Sequence, residues 1–182
     1  KGLWEDRPLE SIWGTASRQA VSFHFGRQAT ALDAPNKRVT DDRGTVYTYD
    51  KLLLATGGSP RRLPFGGDDI IYYRKLADYE RLRALTLQGQ KFAVIGGGFI
   101  GSEIAAALTM NGKRVAMAFP GEGIGGHMFP ADLSRFLNDY YRQKGVEVLA
   151  AARVMGWEVR QGKPVLKTES AQGDREVSAD AV

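Results

Sequence analysis

Cysteine is absent from the 182 residues. That excludes disulfides, zinc-thiolate sites and redox-active cysteine pairs within this stretch, whatever compartment holds it. Histidine is nearly as scarce. The two imidazoles, His24 and His127, stand far apart in sequence and do not make a metal site, so no metal is expected. No apolar run approaches the roughly 18 residues of a membrane span, so none is expected either. The start, Lys1-Gly2-Leu3-Trp4, has neither an initiator methionine nor a signal-peptide pattern, and both ends read as cuts. A block of one charge sign is missing too: 25 Lys and Arg against 21 Asp and Glu give +4, with the basic residues scattered among acidic ones. This pattern describes solvated surface and argues against a nucleic-acid partner. What is plentiful is hydrophobic side chain, at 43%, and glycine, at 22 residues, many clustered where strands end. The chain can therefore bury a core of one domain or slightly more, and a disordered chain is not expected.

Val21–Phe25 and Gln28–Leu32 read as short strands, and Lys37–Thr40 and Val46–Tyr49 as a hairpin around Asp41-Asp42-Arg43-Gly44. Lys51–Thr56 is a continuous apolar run suited to a strand buried on both faces, closed by Gly57-Gly58-Ser59-Pro60. A Pro-, Gly- and Arg-rich stretch from Arg61 to Gly67 marks a boundary, placed between residues 62 and 63. Beyond it, Tyr79–Leu87 reads as a helix and Phe92–Ile95 as a buried strand. A helix then reaches Met110, with Ala105, Ala106, Ala107 and Leu108 on its packing face, and Asn111-Gly112 stops it. A strand at Arg114–Phe119, a glycine-rich loop to Met128, a helix over Ala131–Lys144 and a strand at Val146–Ala150 complete a βαβαβ order. Arg153–Val159, Pro164–Thr168 and Arg175–Val182 read as antiparallel strands turning at Gly162 and Gly173, a β-rich cap. The expected fold class is α/β, a Rossmann-type βαβ unit with that cap.

The chemistry-bearing motif is Gly96-Gly97-Gly98-Phe99-Ile100-Gly101, set between strand and helix. Gly96 allows the tight turn, Gly98 lets the backbone approach a pyrophosphate, and Gly101 lets helix and strand pack closely. Amides at the helix start, Ile100 among them, then face the phosphates. An acidic residue is expected about 20 residues on, to hydrogen-bond the adenine ribose of NAD(H). Glu122 fills that place slightly late, and a solvated loop residue is the other reading. No arginine follows the strand until Arg135, which favours NADH over NADPH.

The segment YDKLLLATGGSP at Tyr49–Pro60, followed by VIGGGFIGSE at Val94–Glu103, resembles the FAD-dependent pyridine-nucleotide-disulfide oxidoreductases. YRKLADYERL at Tyr73–Leu82, the pair Phe119-Pro120 and KGLW at the start are similar to the ferredoxin-reductase and apoptosis-inducing-factor-like branch. The resemblance implies part of an FAD-binding domain over residues 1–62 and an NAD(H)-binding domain over 63–182. It implies FAD contacts at Lys1, Thr56, Gly57 and Arg61, with Ala29 near the adenine. Phe99 would stand at the flavin face where nicotinamide stacks, and Glu103 would contact the carboxamide and pair with Lys1. His127, after Gly125-Gly126, would pass near the nicotinamide or ribose.

The residues alone leave other readings open. Phe99 could be core, Glu103 a partner of the helix dipole, Arg61 one of a solvated pair with Arg62, Lys1 a frayed end and His127 merely exposed. The resemblance implies hydride transfer from NADH to flavin and onward passage of electrons to an iron-sulfur protein, a quinone or oxygen. The alternative is an NADH-sensing flavoprotein, like apoptosis-inducing factor, acting through a partner. A homodimer is a candidate assembly, and the compartment is open between cytoplasm and mitochondrion.

Overall fold

The computed structural model describes residues 21–182. They form two compact units, divided between Gly58 and Ser59. In the first unit, β1 (Ala29–Asp33), β2 (Arg38–Asp41) and β3 (Val46–Thr48) form an antiparallel sheet in that order. Asp41 fastens the β2–β3 turn. Its Oδ1 accepts from the Arg43 and Thr45 amides at 2.9 and 2.8 Å, and its Oδ2 accepts from the Tyr47 hydroxyl at 2.9 Å and pairs with Arg27 at 3.2 Å. Burial pushes this carboxyl up, but those hydrogen bonds and the arginine hold it below the usual range.

Two expected strands are absent here. Over Val21–Phe25 the chain enters a turn at Gly26 (φ 63°), and the Phe23 and Phe25 rings stack on each other at 5.5 Å. Lys51–Thr56 is exposed and unladdered, with Leu53 at 88% exposure. A strand meant to be buried on both faces needs neighbouring strands and covering layers, and the described residues of this unit supply none.

In the second unit, α1 (Leu76–Gln88) leads to β4 (Lys91–Ile95), α2 (Phe99–Met110), β5 (Arg114–Ala118), α3 (Ala131–Gln143) and β6 (Val146–Leu149). The Asp78 carboxylate starts α1 by accepting from the Arg74 and Lys75 amides at 2.8 and 2.6 Å. β4, β5 and β6 run parallel, in that order, paired Phe92 with Val115 and Val115 with Val146. The last strands, β7 (Arg153–Arg160), β8 (Lys163–Glu169) and β9 (Arg175–Ser178), form an antiparallel sheet.

Both faces of the parallel sheet are buried, and the side chains alternate in size. Phe92, Val94, Val115, Met117, Val146 and Val148 point into a core with Ala105 and Leu108 of α2. Between them, Ala93, Ala116 and Ala118 meet Leu166 and Val177 of the cap. Large residues lie under the helices, and alanines with Leu149 lie under the cap.

Two details differ from expectation. On α2 only Ala105 and Leu108 are fully buried, while Ala106 and Ala107 are half-buried, because 100° per residue turns them away. The expected strand Arg175–Val182 splits: β9 ends at Ser178, and the chain crosses to the edge of the parallel sheet. There Ala181 bridges Phe92 in parallel and its carbonyl accepts from the Ala93 amide at 3.0 Å.

Asp180 secures this crossing. Its carboxylate accepts from the Gln90 and Lys91 amides at 2.8 and 2.9 Å and from Lys163 Nζ at 2.9 Å. The Lys163 ammonium and the two amides depress its pKa far below the ordinary 3.8. A depressed folded-state pKa stabilises fully above the unfolded value and loses that stabilisation as pH falls through and below it. Asp180→Asn is therefore expected to lower stability at pH 7 by about 1–3 kcal/mol and to flatten the acid limb of the stability profile below about pH 4. Urea unfolding of the complete protein from pH 7 to pH 3 reads both effects. An unchanged acid limb would contradict the assignment.

Candidate functional site

The turn between β4 and α2 holds each fingerprint glycine for a separate reason. Gly96 has φ 116°, a conformation that side chains rarely adopt. At Gly101 an added Cβ would lie 2.1 Å from the Gly96 carbonyl oxygen, so the first turn of α2 rests directly on the end of β4. Gly98 is the opposite case. Its backbone is ordinary (φ −84°, ψ −171°) and nothing lies within 4 Å of where a Cβ would stand. Open space beside the backbone that starts a helix, with no side-chain cap on that helix, suits an anionic ligand approaching the amides of Phe99, Ile100 and Gly101.

A cleft of about 700 Å³ runs from this turn across the carboxyl end of β5. Gly96, Gly98, Phe99, Glu122 and His127 all line it, so five of the expected site residues share one cavity. A second cavity of about 610 Å³ borders the same turn, lined by Arg61, Gly96, Gly98, Phe99, Ile100 and Gly101. Phe99 borders both. At 59% exposure it is not core, and its ring meets Phe129 edge-on at 6.0 Å.

Glu103 follows one turn later on α2 and is exposed, lining neither cavity. Its charge is felt by two phenols. Burial raises the pKa of both Tyr73 and Tyr141, and Glu103 adds to each, while the Tyr141 hydroxyl donates to the Ser102 carbonyl at 3.1 Å. Ala29, Thr56 and Gly57 are exposed in the first unit, Gly57 with φ 71°. Lys1 lies outside the described residues. His24 stacks edge-on against Tyr47 at 4.8 Å, in the first unit. Among the described residues no group of His, Asp and Glu could hold a metal ion, and no helix is long and apolar enough to cross a membrane.

The expected acidic position needs a physical account. The end of β5 carries Phe119, 3% exposed, whose ring sits where a Cβ on Gly97 would come within 2.7 Å. A buried ring there leaves no room for a carboxylate, and Glu122 is the first acid the loop presents to the cleft. Sequence reading set one neighbour, Arg135, aside as too distant and missed two others. Arg135, on α3, lines the same cleft as Glu122 although thirteen residues separate them. Ser134 and Asn138, 2% and 4% exposed, face inward from α3 beneath the loop. Their i, i+4 spacing, in step with half-buried Leu137 and Tyr141, was the available signal.

Fold and glycine turn together define a dinucleotide-binding α/β unit. The chain belongs to the pyridine nucleotide-disulphide oxidoreductase family, whose signature matches residues 6–182 and whose members use FAD and NAD(P)H. It is 33% identical over 147 residues to the 5,5'-dehydrodivanillate O-demethylase ferredoxin reductase subunit of Sphingobium, covering 79% of this chain and 35% of that protein. It is 31% identical over 164 residues to monodehydroascorbate reductase 3 of Arabidopsis thaliana, covering 85% and 37%. Among solved structures, the covalent putidaredoxin reductase–putidaredoxin complex matches with TM-score 0.71 at 29% identity, over 86% of this chain and 39% of that one. The chain thus spans little more than a third of the length of the two curated relatives.

Two glycine substitutions separate fold from ligand. Gly101→Ala is expected to destabilise by about 1–3 kcal/mol, since the added methyl overlaps the Gly96 carbonyl. Gly98→Ala is expected to leave stability within about 0.5 kcal/mol yet weaken NADH binding at least about tenfold, by standing where the pyrophosphate approaches. Thermal unfolding and NADH fluorescence titration check both. Undiminished NADH affinity in Gly98→Ala would exclude the close approach.

Proposed function

We propose that the complete protein is an FAD-dependent NADH oxidoreductase that passes electrons onward to an iron-sulfur protein. The observation that carries this reading is the position of Phe99. It is an exposed aromatic ring at the first residue of α2, bordering both the glycine-rich cleft and the apolar cavity beside Arg61. When bound, the two cofactors supply hydride transfer from nicotinamide to flavin.

The chain's own residues bind and orient. Gly98 leaves the α2 amides open to a pyrophosphate, and the helix dipole favours that charge. Glu122 accepts hydrogen bonds from the adenine ribose and repels a 2′-phosphate, which favours NADH. Phe99 offers a flat apolar surface for a ring to stack on and keeps water from it. Glu103, one turn along the same helix face, accepts a hydrogen bond from the carboxamide and fixes which face of the nicotinamide turns inward. Thr56, Gly57, Arg61, Ala29 and Lys1 are assigned to FAD, and His127 to the nicotinamide or ribose. Support for the acceptor comes from the relatives' names, a ferredoxin reductase subunit and putidaredoxin reductase. The apoptosis-inducing-factor alternative gains no support from them.

Rapid mixing of the anaerobic complete protein with NADH tests the orienting roles. Glu103→Gln and Phe99→Ala are each expected to slow flavin reduction at least about tenfold, with NADH affinity changed about threefold or less. Reduction at the unaltered rate in both variants would remove the two residues from the nicotinamide site.

A further inference from the structure

We propose that Asn138 is a positioning residue that sets the choice between NADH and NADPH by locking the loop that carries Glu122. The proposal rests on the reading above, in which Glu122 meets the adenine ribose.

The loop after β5 is held at both ends by backbone. The Gly121 carbonyl accepts from the Ala151 amide at 2.8 Å, and the Gly125 amide donates to the Gly97 carbonyl in the glycine turn at 2.7 Å. Between those anchors lie Glu122, Gly123 and Ile124. Among the described residues one side chain bonds to this segment. Asn138 Nδ2 donates to the Glu122 carbonyl at 2.8 Å, and its Oδ1 accepts from the Ile124 amide at 3.0 Å. Asn138 is 4% exposed and its bond to the Ile124 amide is buried, so losing the side chain leaves a buried backbone N–H without that partner.

Packing makes the same contact tight. One turn before Asn138, Ser134 lies so close to Gly123 that an added Cβ would be 2.6 Å from Ser134 Cβ. The Ser134 hydroxyl is buried without a hydrogen bond, so it packs against the loop while Asn138 supplies the polar attachment.

Selectivity follows from what each element carries. Glu122 on the loop and Arg135 on α3 line the same glycine-rich cleft. A carboxylate repels a 2′-phosphate and a guanidinium attracts one. Arg135 rides on a helix, whereas Glu122 sits on a short span between two backbone anchors whose side-chain attachment is Asn138. Loosening the loop withdraws the carboxylate and leaves the guanidinium, which shifts preference toward NADPH.

The test uses the complete flavoprotein in four forms: wild type, Asn138→Ala, Glu122→Ala and the double variant. For each, Kd and kcat/KM are measured with NADH and NADPH, and amide hydrogen exchange is followed in the nucleotide-free protein. Asn138→Ala is expected to speed exchange at Ile124 and to lower the NADH to NADPH ratio at least fivefold. In the Glu122→Ala background it is expected to cause no further change in that ratio. Asn138→Asp, isosteric and keeping the acceptor toward Ile124 while losing the donor toward Glu122, is read in its place if the alanine variant does not fold. Equal losses for both nucleotides, or the same further loss of ratio with and without Glu122, would overturn the proposal and leave Asn138 a structural residue. A ratio unmoved by Glu122→Ala would overturn the ribose reading beneath it. A ratio moved by Glu122→Ala but not by Asn138→Ala would overturn this inference alone.

Discussion

The first turn of α2 lies against the end of β4 so closely that the Gly96 carbonyl occupies the space a Gly101 side chain would need. That contact sets the direction of the helix relative to the sheet, and with it the direction of the unpaired amides at the helix start. It also determines where the neighbouring loop can go, because the Gly97 carbonyl takes the Gly125 amide. Phe119 completes the arrangement by filling the space over Gly97. A bulkier residue at any of these points would tilt the helix, and the cleft floor, Phe99 and the Glu122 loop would all move together.

The sheet beneath is arranged to hold that turn still. Its strands carry large residues toward α2 and mainly alanines toward the cap, so helices and antiparallel strands both close on it. Burial on two faces accounts for the near-continuous apolar character of β4 and β5. The crossing at Asp180 and Ala181 then ties the end of the cap to the edge of β4, the strand that delivers the glycine turn.

Much of this was legible because the signals are local. A buried strand, glycines at fixed spacing and a helix of small residues can be read within a twenty-residue window, as can the turns at Gly162 and Gly173. The parts that were not legible depend on distant partners. Lys51–Thr56 has the composition of an inner strand, but a strand needs neighbours, and composition does not show whether they are there. The cleft was harder than the turn. Arg135 reaches it from the next helix, and Asn138 works through backbone groups that no side-chain pattern displays. α3 also inverts the usual rule: Ser134 and Asn138 face inward while Leu133, Phe136 and Tyr140 lie exposed. Its inner face joins Leu137 and Tyr141, packed on the core, with Asn138, hydrogen-bonded to the glycine-rich loop, so a search for a purely apolar stripe passes over part of it.

The central claim is that this unit presents NADH to a flavin held by the complete protein. Anaerobic titration with NADH and then NADPH, following the visible flavin absorbance, tests it most directly. The account expects bleaching by NADH at far lower concentration than by NADPH, with a long-wavelength charge-transfer band as the rings stack. A flavin left oxidised by both nucleotides would contradict it and reduce the unit to a nucleotide-binding fold without hydride transfer.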